Sequence, residues 1–439
     1  MTARSTHILP GSWKNEEDDV NILVIGSGGR EHALFLKLKE SPLTDSIYAL
    51  PGNPGMGEQI DISATDNEAI LKFAKEKEIG LVVVGPEIPL TNGLVDELES
   101  AGIRAFGPRA NAAELEGSKA FAKDLMKKYG IPTARYEVFT EAEPARAYIR
   151  KEGAPIVVKA DGLAAGKGVI VAMSEQEALD AIDAIMEDNT FGKAGTRVVI
   201  EEFMEGEEAS LLAFTDGKII RPMISAQDHK RALDGDKGPN TGGMGTYAPA
   251  PVMTPEMTER ATEEILKPTI AAMAKEGRVY RGCLYLGLMI TKDGPKVVEF
   301  NARFGDPETQ VVLPLLDGDL VRIMCACSDG TLADVPIHWK SGAAVCVVLA
   351  AGGYPASYEK GHEIRGIRAA EDTGALVFHA GTAEQNGKII TNGGRVLGVV
   401  GMGEDIASAV KKTYAAVEKI SFKDAYYRKD IAHRALRNR

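Results

Sequence analysis

The sequence predicts a multidomain protein of mixed α/β and α+β class. It has an N-terminal doubly wound parallel sheet, an α+β middle built around a glycine-rich hairpin, and a small C-terminal β-rich domain. Three stretches carry the prediction. NILVIG at 21–26 runs into GSGGREHALFLKLKE, a buried strand, a glycine turn and a helix, as doubly wound sheets open. IVVKADGLAAGKGVIVA at 156–172 places a lysine among glycines between two short β-branched runs, which reads as strand, loop, strand. After about 335 come the short strands of AAVCVVLAAGGYP, ALVFHAGT and GRVLGVVG, followed by a C-terminal helix.

The first 20 residues are polar and lack the apolar stretch of a signal peptide, so they are expected to be a disordered leader, native or left from cloning. From 21 to 120, the segments IYAL, GLVVVG and IRAFG repeat the strand pattern with helical stretches between them. The middle, 121–334, starts near SKAFAKDLMKKYGIP, an amphipathic helix stopped by Gly130 and Pro132. The last unit is 335–439. At 439 residues the chain is too long for a single core, which agrees with this division. A net charge of −12 argues against nucleic acid and anionic membranes as partners. Cys283, Cys325, Cys327 and Cys346 have no paired metal spacing, so reduced buried thiols in a cytoplasmic protein are expected.

The glycine-rich hairpin is not a P-loop, because Gly162 and Gly166 are one residue too close and Gly168 stands where a hydroxyl should be. Nor does the N-terminal turn meet the dinucleotide fingerprint, since Glu31 stands where the third glycine belongs. The turn could still offer N–H groups to a phosphate. In VVEFNARFGDPETQ, Glu299 and Asn301 are two apart on a strand and share a face, an oxygen pair suited to a hard cation. Arg303, Asp306 and Glu308 follow at once. In VVIEEFMEGEEAS, an acidic stretch interrupts apolar strands, either as a solvated connector or as a hinge that meets a purine.

Taken in order along the chain, Lys119, the VVK ending at Lys159, GLAAGKG, IEEFM with Glu208, and Glu299-Phe-Asn301 resemble the ATP-grasp superfamily. The strings VIGSGGREHAL, PGNPGM, VVGPEIPL, GPNTGGMGTYAPAP and RFGDPETQ narrow the resemblance to the phosphoribosylamine–glycine ligase family. The likeness implies a two-lobed ATP-grasp fold in the middle, with a small lid lobe at about 135–205. It implies ligation of glycine to 5-phosphoribosylamine through glycyl phosphate, with ATP as co-substrate and magnesium or manganese as the metal. Lys119, Lys159, Gly162, Gly166, Lys167, Gly168, Glu201, Glu202, Phe203, Met204 and Glu208 would bind ATP. Glu299 and Asn301 would hold the metal. Gly28, Gly29, Arg30, Glu31, Asn53, Glu87, Asp228, Gly243, Arg303, Gly305 and Asp306 would bind the other substrates, with Arg303, Lys159 and Asp306 acting in catalysis. A monomer or weak homo-oligomer is expected. Many ATP-grasp enzymes carry a further acidic ligand on the preceding strand, but here that strand reads YLGLMI. Carboxyaminoimidazole or biotin-carboxylating ligases would share the lysines and metal pair but not RFGDPETQ. A nicotinamide-dependent dehydrogenase is disfavoured by the broken fingerprint.

Overall fold

The computed structural model describes residues 19–163, 168–188 and 192–437. The expected leader lies outside them up to residue 18, and Val20 already belongs to the first strand. Val20–Gly26 pairs in parallel with Thr44–Pro51 on one side and Leu81–Val84 on the other, and Arg104–Phe106 completes a four-stranded sheet. Both faces of the central strand are buried, as a parallel sheet requires. Ile22 and Val24 enter one apolar core, while Leu23 and Ile25 enter another on the opposite face.

The middle of the chain forms two antiparallel sheets. The smaller contains Tyr136–Phe139, Val198–Glu202, Ile156–Ala160 and Val169–Ala172, in that order. The predicted hairpin is present, with Lys159 opposite Val169, and its tip at 164–167 lies outside the described residues. This lobe has its own core, drawn from residues between Ala145 and Ile200. The larger sheet runs Ile220–Pro222, Glu207–Thr215, Gly282–Thr291, Gly294–Asn301. Helix Lys119–Tyr129 leads into the small lobe, capped by Ser118 and ended by Gly130 at φ +68°.

The C-terminal sheet contains the expected Ala343–Ala350, Arg395–Gly403 and Leu376–His379. It also takes two short strands from the middle of the chain, Gln227–Asp228 and Gly245–Ala248, the latter paired with Ala343–Ala350. The loop between them is thereby held against the C-terminal unit. All four cysteines are unpaired and buried. Among the described residues, no helix is long and apolar enough to cross a membrane.

The units share a core. Phe106 of the N-terminal sheet, Phe214 of the larger sheet and Phe304 of RFGD form a ring cluster with centroids 5.9–6.4 Å apart. Beside it, the backbone of Gly282, at φ +112°, lies against that of Gly107, and a Cβ on Gly282 would come within 3.0 Å of the Gly107 Cα. Gly282→Ala is expected to destabilise the protein by about 2–6 kcal/mol, from backbone strain together with overpacking. Denaturant melts followed by intrinsic fluorescence would check this, and an unchanged midpoint would contradict it.

Candidate functional site

A cleft of about 1050 Å³ opens where the small lobe, the large sheet, the N-terminal unit and the C-terminal sheet meet. Its first wall starts at the N-terminus of helix Lys119–Tyr129. Asp161, just past the strand ending in Ala160, accepts from Ala120 N at 3.0 Å and from Ser118 Oγ at 3.1 Å. That contact draws the strand end to the helix and lets Lys119 Nζ donate to Gly162 O at 2.8 Å. Lys123, one turn on, places its ammonium 2.9 Å from Glu201 Oε2, and Lys159 stands 2.9 Å from Glu201 Oε1. These side chains are only 3, 5 and 2% exposed for Lys123, Lys159 and Glu201. Lys159 also donates to Val298 O and Lys123 to Thr133 Oγ1. Burial pushes the Lys123 ammonium down to about 8, against the pull of Glu201.

The second wall carries the strand pair Glu299 and Asn301. Burial raises the Glu299 carboxyl, but Lys230, Lys159 and Lys119 outweigh it and leave the group below its usual range. Lys230 Nζ lies 2.9 Å from Glu208 Oε2 and 3.8 Å from Glu299 Oε1. Asn301 Oδ1 meets Arg303 Nη2 at a long 3.5 Å. Gly287 pairs across from Glu299, and a Cβ there would come within 3.1 Å of the Glu299 Cγ. A second carboxylate side chain at this position would crowd the first. Among the described residues, no cluster of three or more His, Cys, Asp or Glu side chains has metal-holding geometry. A cation at Glu299 and Asn301 would therefore complete its shell with ligand and water oxygens, as magnesium commonly does.

The far end of the cleft is built around Arg303, which lies beyond the strand's end. Its Nη2 is 2.9 Å from Glu116 Oε1 and its Nε 3.4 Å from Glu87 Oε2. Glu116 also accepts from Ala302 N at 2.6 Å, so it fixes both the arginine and the chain that carries it. Burial raises the Glu116 carboxyl above its ordinary value despite Arg303. Burial also acts upward on Glu87, but Arg303 and Arg30 hold that carboxyl low. Asp306 accepts from Gln310 Nε2 at 2.9 Å and faces Arg395 Nη2 at 3.4 Å. Asp228 is raised well above the carboxylate range, by burial and then by Glu308 nearby, and its Oδ1 is buried with no hydrogen-bond partner.

Most of the residues singled out from sequence line this cleft: Arg30, Glu87, Lys119, Lys159, Gly162, Gly168, Glu201, Glu202, Phe203, Met204, Glu208, Asp228, Glu299, Asn301, Arg303, Gly305 and Asp306. Gly166 and Lys167 lie outside the described residues. Five others stand behind the lining. The Glu31 carboxylate folds back onto its own turn, accepting from Gly28 N at 2.7 Å and Arg30 Nε at 2.5 Å. It fills the space beside Gly26, Gly28 and Gly85 and takes the Gly28 N–H that a ligand could otherwise meet. Gly29 packs on Gln310 and Gly243 on Pro307 and Asp228. Asn53 is buried, donating to Ser27 O and His379 O and accepting from Gly55 N. It braces the turn from behind.

Sequence reasoning missed Lys123, Lys230, Glu116 and Arg395, all of which line the cleft. Lys123 could have been found, because it is four residues after Lys119 and shares its helix face. Lys230 is two after Asp228 in the same polar segment. Glu116 and Arg395 reach the site only through long-range packing.

Three family models match in sequence order: "Phosphoribosylglycinamide synthetase, N domain" over 20–116, the "ATP-grasp (A) domain" of the same enzyme over 117–309, and its "C domain" over 344–434. The phosphoribosylamine–glycine ligase of Haemophilus influenzae is 53% identical over 423 residues, covering 95% of this chain and 99% of that one. The crystal structure of the Thermotoga maritima phosphoribosylamine–glycine ligase superposes with a TM-score of 0.82 at 38% identity, covering 94% of this chain and 100% of that one. The biotin carboxylase domain of Hydrogenobacter thermophilus 2-oxoglutarate carboxylase shares the fold at a TM-score of 0.69 and 17% identity, over 93% and 91% of the two chains.

Glu201→Gln removes the charge that two buried ammoniums share. Losing one member of a buried ion network typically costs about 3–5 kcal/mol. The small-lobe strands are therefore expected to lose hydrogen-exchange protection while the N-terminal sheet keeps it. Equal protection in variant and parent would contradict the role given to Glu201.

Proposed function

The chain belongs to the phosphoribosylglycinamide synthetase family and is an ATP-dependent phosphoribosylamine–glycine ligase of purine biosynthesis, and we propose that it works through a glycyl phosphate formed in this cleft. A glycine carboxylate oxygen attacks the γ-phosphorus of ATP and ADP leaves. The amine of 5-phosphoribosylamine then attacks the glycyl carbonyl, and phosphate departs with the carboxylate oxygen. The product is the amide, glycinamide ribonucleotide. The first step brings two anions together, so it needs alignment and charge neutralisation more than a strong acid or base. The observation that carries this reading is the convergence of Lys119, Lys159 and Arg303 on one cleft with the Glu299–Asn301 pair.

Lys119 and Lys159 bind the nucleotide phosphates, together with Gly162, Gly166, Lys167 and Gly168 of the glycine-rich stretch. Phe203 and Met204 contact the base, and Glu208 accepts from ribose hydroxyls. Glu201 serves indirectly, by holding Lys159. Glu299 and Asn301 offer the hard oxygen donors that magnesium or manganese prefers. Such an ion, when bound, draws charge from the phosphates. Arg303, held by Glu116 and Glu87, orients the glycine carboxylate or the transferring phosphoryl group. Asp306, Gly305, Asp228, Arg30 and Glu87 shape the phosphoribosylamine side, supported by Gly28, Gly29, Glu31, Asn53 and Gly243. In this reading 21–120 is the substrate domain, 121–334 the ATP-grasp domain and 335–439 the C-terminal domain, in a cytoplasmic monomer or weak homo-oligomer.

ADP release is expected to require both glycine and phosphoribosylamine, measured by a coupled assay with each omitted in turn. Turnover with bicarbonate in their place would overturn the reading. Glu299→Gln keeps the shape but removes the pair's one formal charge, and turnover is expected to fall by about 100-fold or more with an unchanged melting temperature. Near-normal turnover would move the metal elsewhere.

A further inference from the structure

Lys230 stands between two carboxylates that the proposed reaction needs for other partners. Its ammonium is 2.9 Å from Glu208 Oε2 and 3.8 Å from Glu299 Oε1. The other cleft lysines are held by different groups: Lys119 by Gly162 O, Lys159 by Glu201 and Val298 O, and Lys123 by Glu201 and Thr133. Lys230 also differs from Lys123 and Lys159 in access. Its side chain is 33% exposed, so it can leave its partners for solvent without the large penalty of a buried charge.

The main chain at Lys230 is anchored by backbone hydrogen bonds, whereas its side chain is held through its ion pairs. Its carbonyl accepts from both Thr241 N and Thr241 Oγ1 at 2.8 Å, which ties the two arms of the 228–245 loop together. His229 beside it is buried, with its N–H on Gly245 O and its Nε2 accepting from Ala432 N. A long, flexible stem on an anchored loop can therefore swing its charge without moving the loop.

We propose that Lys230 is a positioning residue that serves as the counter-ion of Glu208 and Glu299, bridging the two until ribose hydroxyls and a divalent metal take them over. This rests on the assignment of Glu299 and Asn301 to the metal. Without Lys230 the two carboxylates would repel across the cleft and draw in free divalent metal before nucleotide arrives. When metal and nucleotide bind together, the ammonium is displaced toward the substrate end, where the same loop carries Asp228. Metal binding is thereby coupled to nucleotide binding.

The test is manganese(II) alone, titrated into the full-length protein without nucleotide and followed by the paramagnetic resonance signal of free ion. Lys230→Met is expected to bind it at least about tenfold more tightly than the parent, because an opposing unit charge within about 4 Å has been removed. Lys230→Arg is expected to stay within about threefold of the parent, because it restores the positive charge. Glu299→Gln in the Lys230→Met background is expected to abolish the gain. No gain in Lys230→Met, or no measurable binding by it, overturns the proposal for Lys230. A gain that survives Glu299→Gln instead overturns the metal assignment on which it rests. Melting temperatures of all variants confirm that folded protein is being compared.

Discussion

Glu201 lies between two ammoniums that come from different parts of the chain, Lys159 on its own small-lobe sheet and Lys123 on the helix that enters that lobe. The small lobe has a separate apolar core, so packing alone does not set its height over the cleft. The shared carboxylate does, together with the Lys159 bond to Val298 O and the Thr133 Oγ1 bond to Val297 O. A buried triad of this kind adds little net stability over an apolar one, but it tolerates few alternative geometries. Lys159 is thus held at the mouth of the hairpin by a buried carboxylate of its own sheet.

The same construction recurs at the other end. Arg303 is held by Glu116, which also binds the backbone at Ala302, and Arg395 is held by Asp306 and by two carbonyls of the loops it spans. Lys159, Arg303 and Arg395 thus each face the cleft with a carboxylate partner that fixes their direction. Preorganised charge of this kind needs no rearrangement when an anion arrives, which is the main source of electrostatic catalysis. The N-terminal turn follows the opposite rule. There Glu31 takes the Gly28 N–H from within the turn, and Arg30 is the turn's side chain that lines the cleft.

Much of this was legible in the sequence because it rests on local periodicity. The β-branched flanks of the glycine-rich stretch fixed it as a hairpin, and the period of two on VVEFN placed Glu299 and Asn301 on one face. What could not be read depends on where side chains turn after the backbone is set. Glu31 and Asn53 stand in glycine-rich turns of the kind that hold ligands, yet one folds back and the other braces the turn. Glu116 and Arg395 arrive from far along the chain. The two- and four-residue strands at Gln227–Asp228 and Gly245–Ala248 are too short to signal themselves, and their pairing with the C-terminal sheet spans about 100 residues.

If the cleft exists to bring a carboxylate onto a phosphoryl group, an oxygen of glycine must leave with the phosphate. Glycine carrying heavy oxygen in its carboxylate, turned over with ATP and phosphoribosylamine, reports this by mass spectrometry of the released phosphate. One labelled oxygen per phosphate is expected, with the other retained in the amide carbonyl. Unlabelled phosphate would mean that ATP is cleaved without a glycyl phosphate, and that the charges gathered around Arg303 and Glu299 serve some other step.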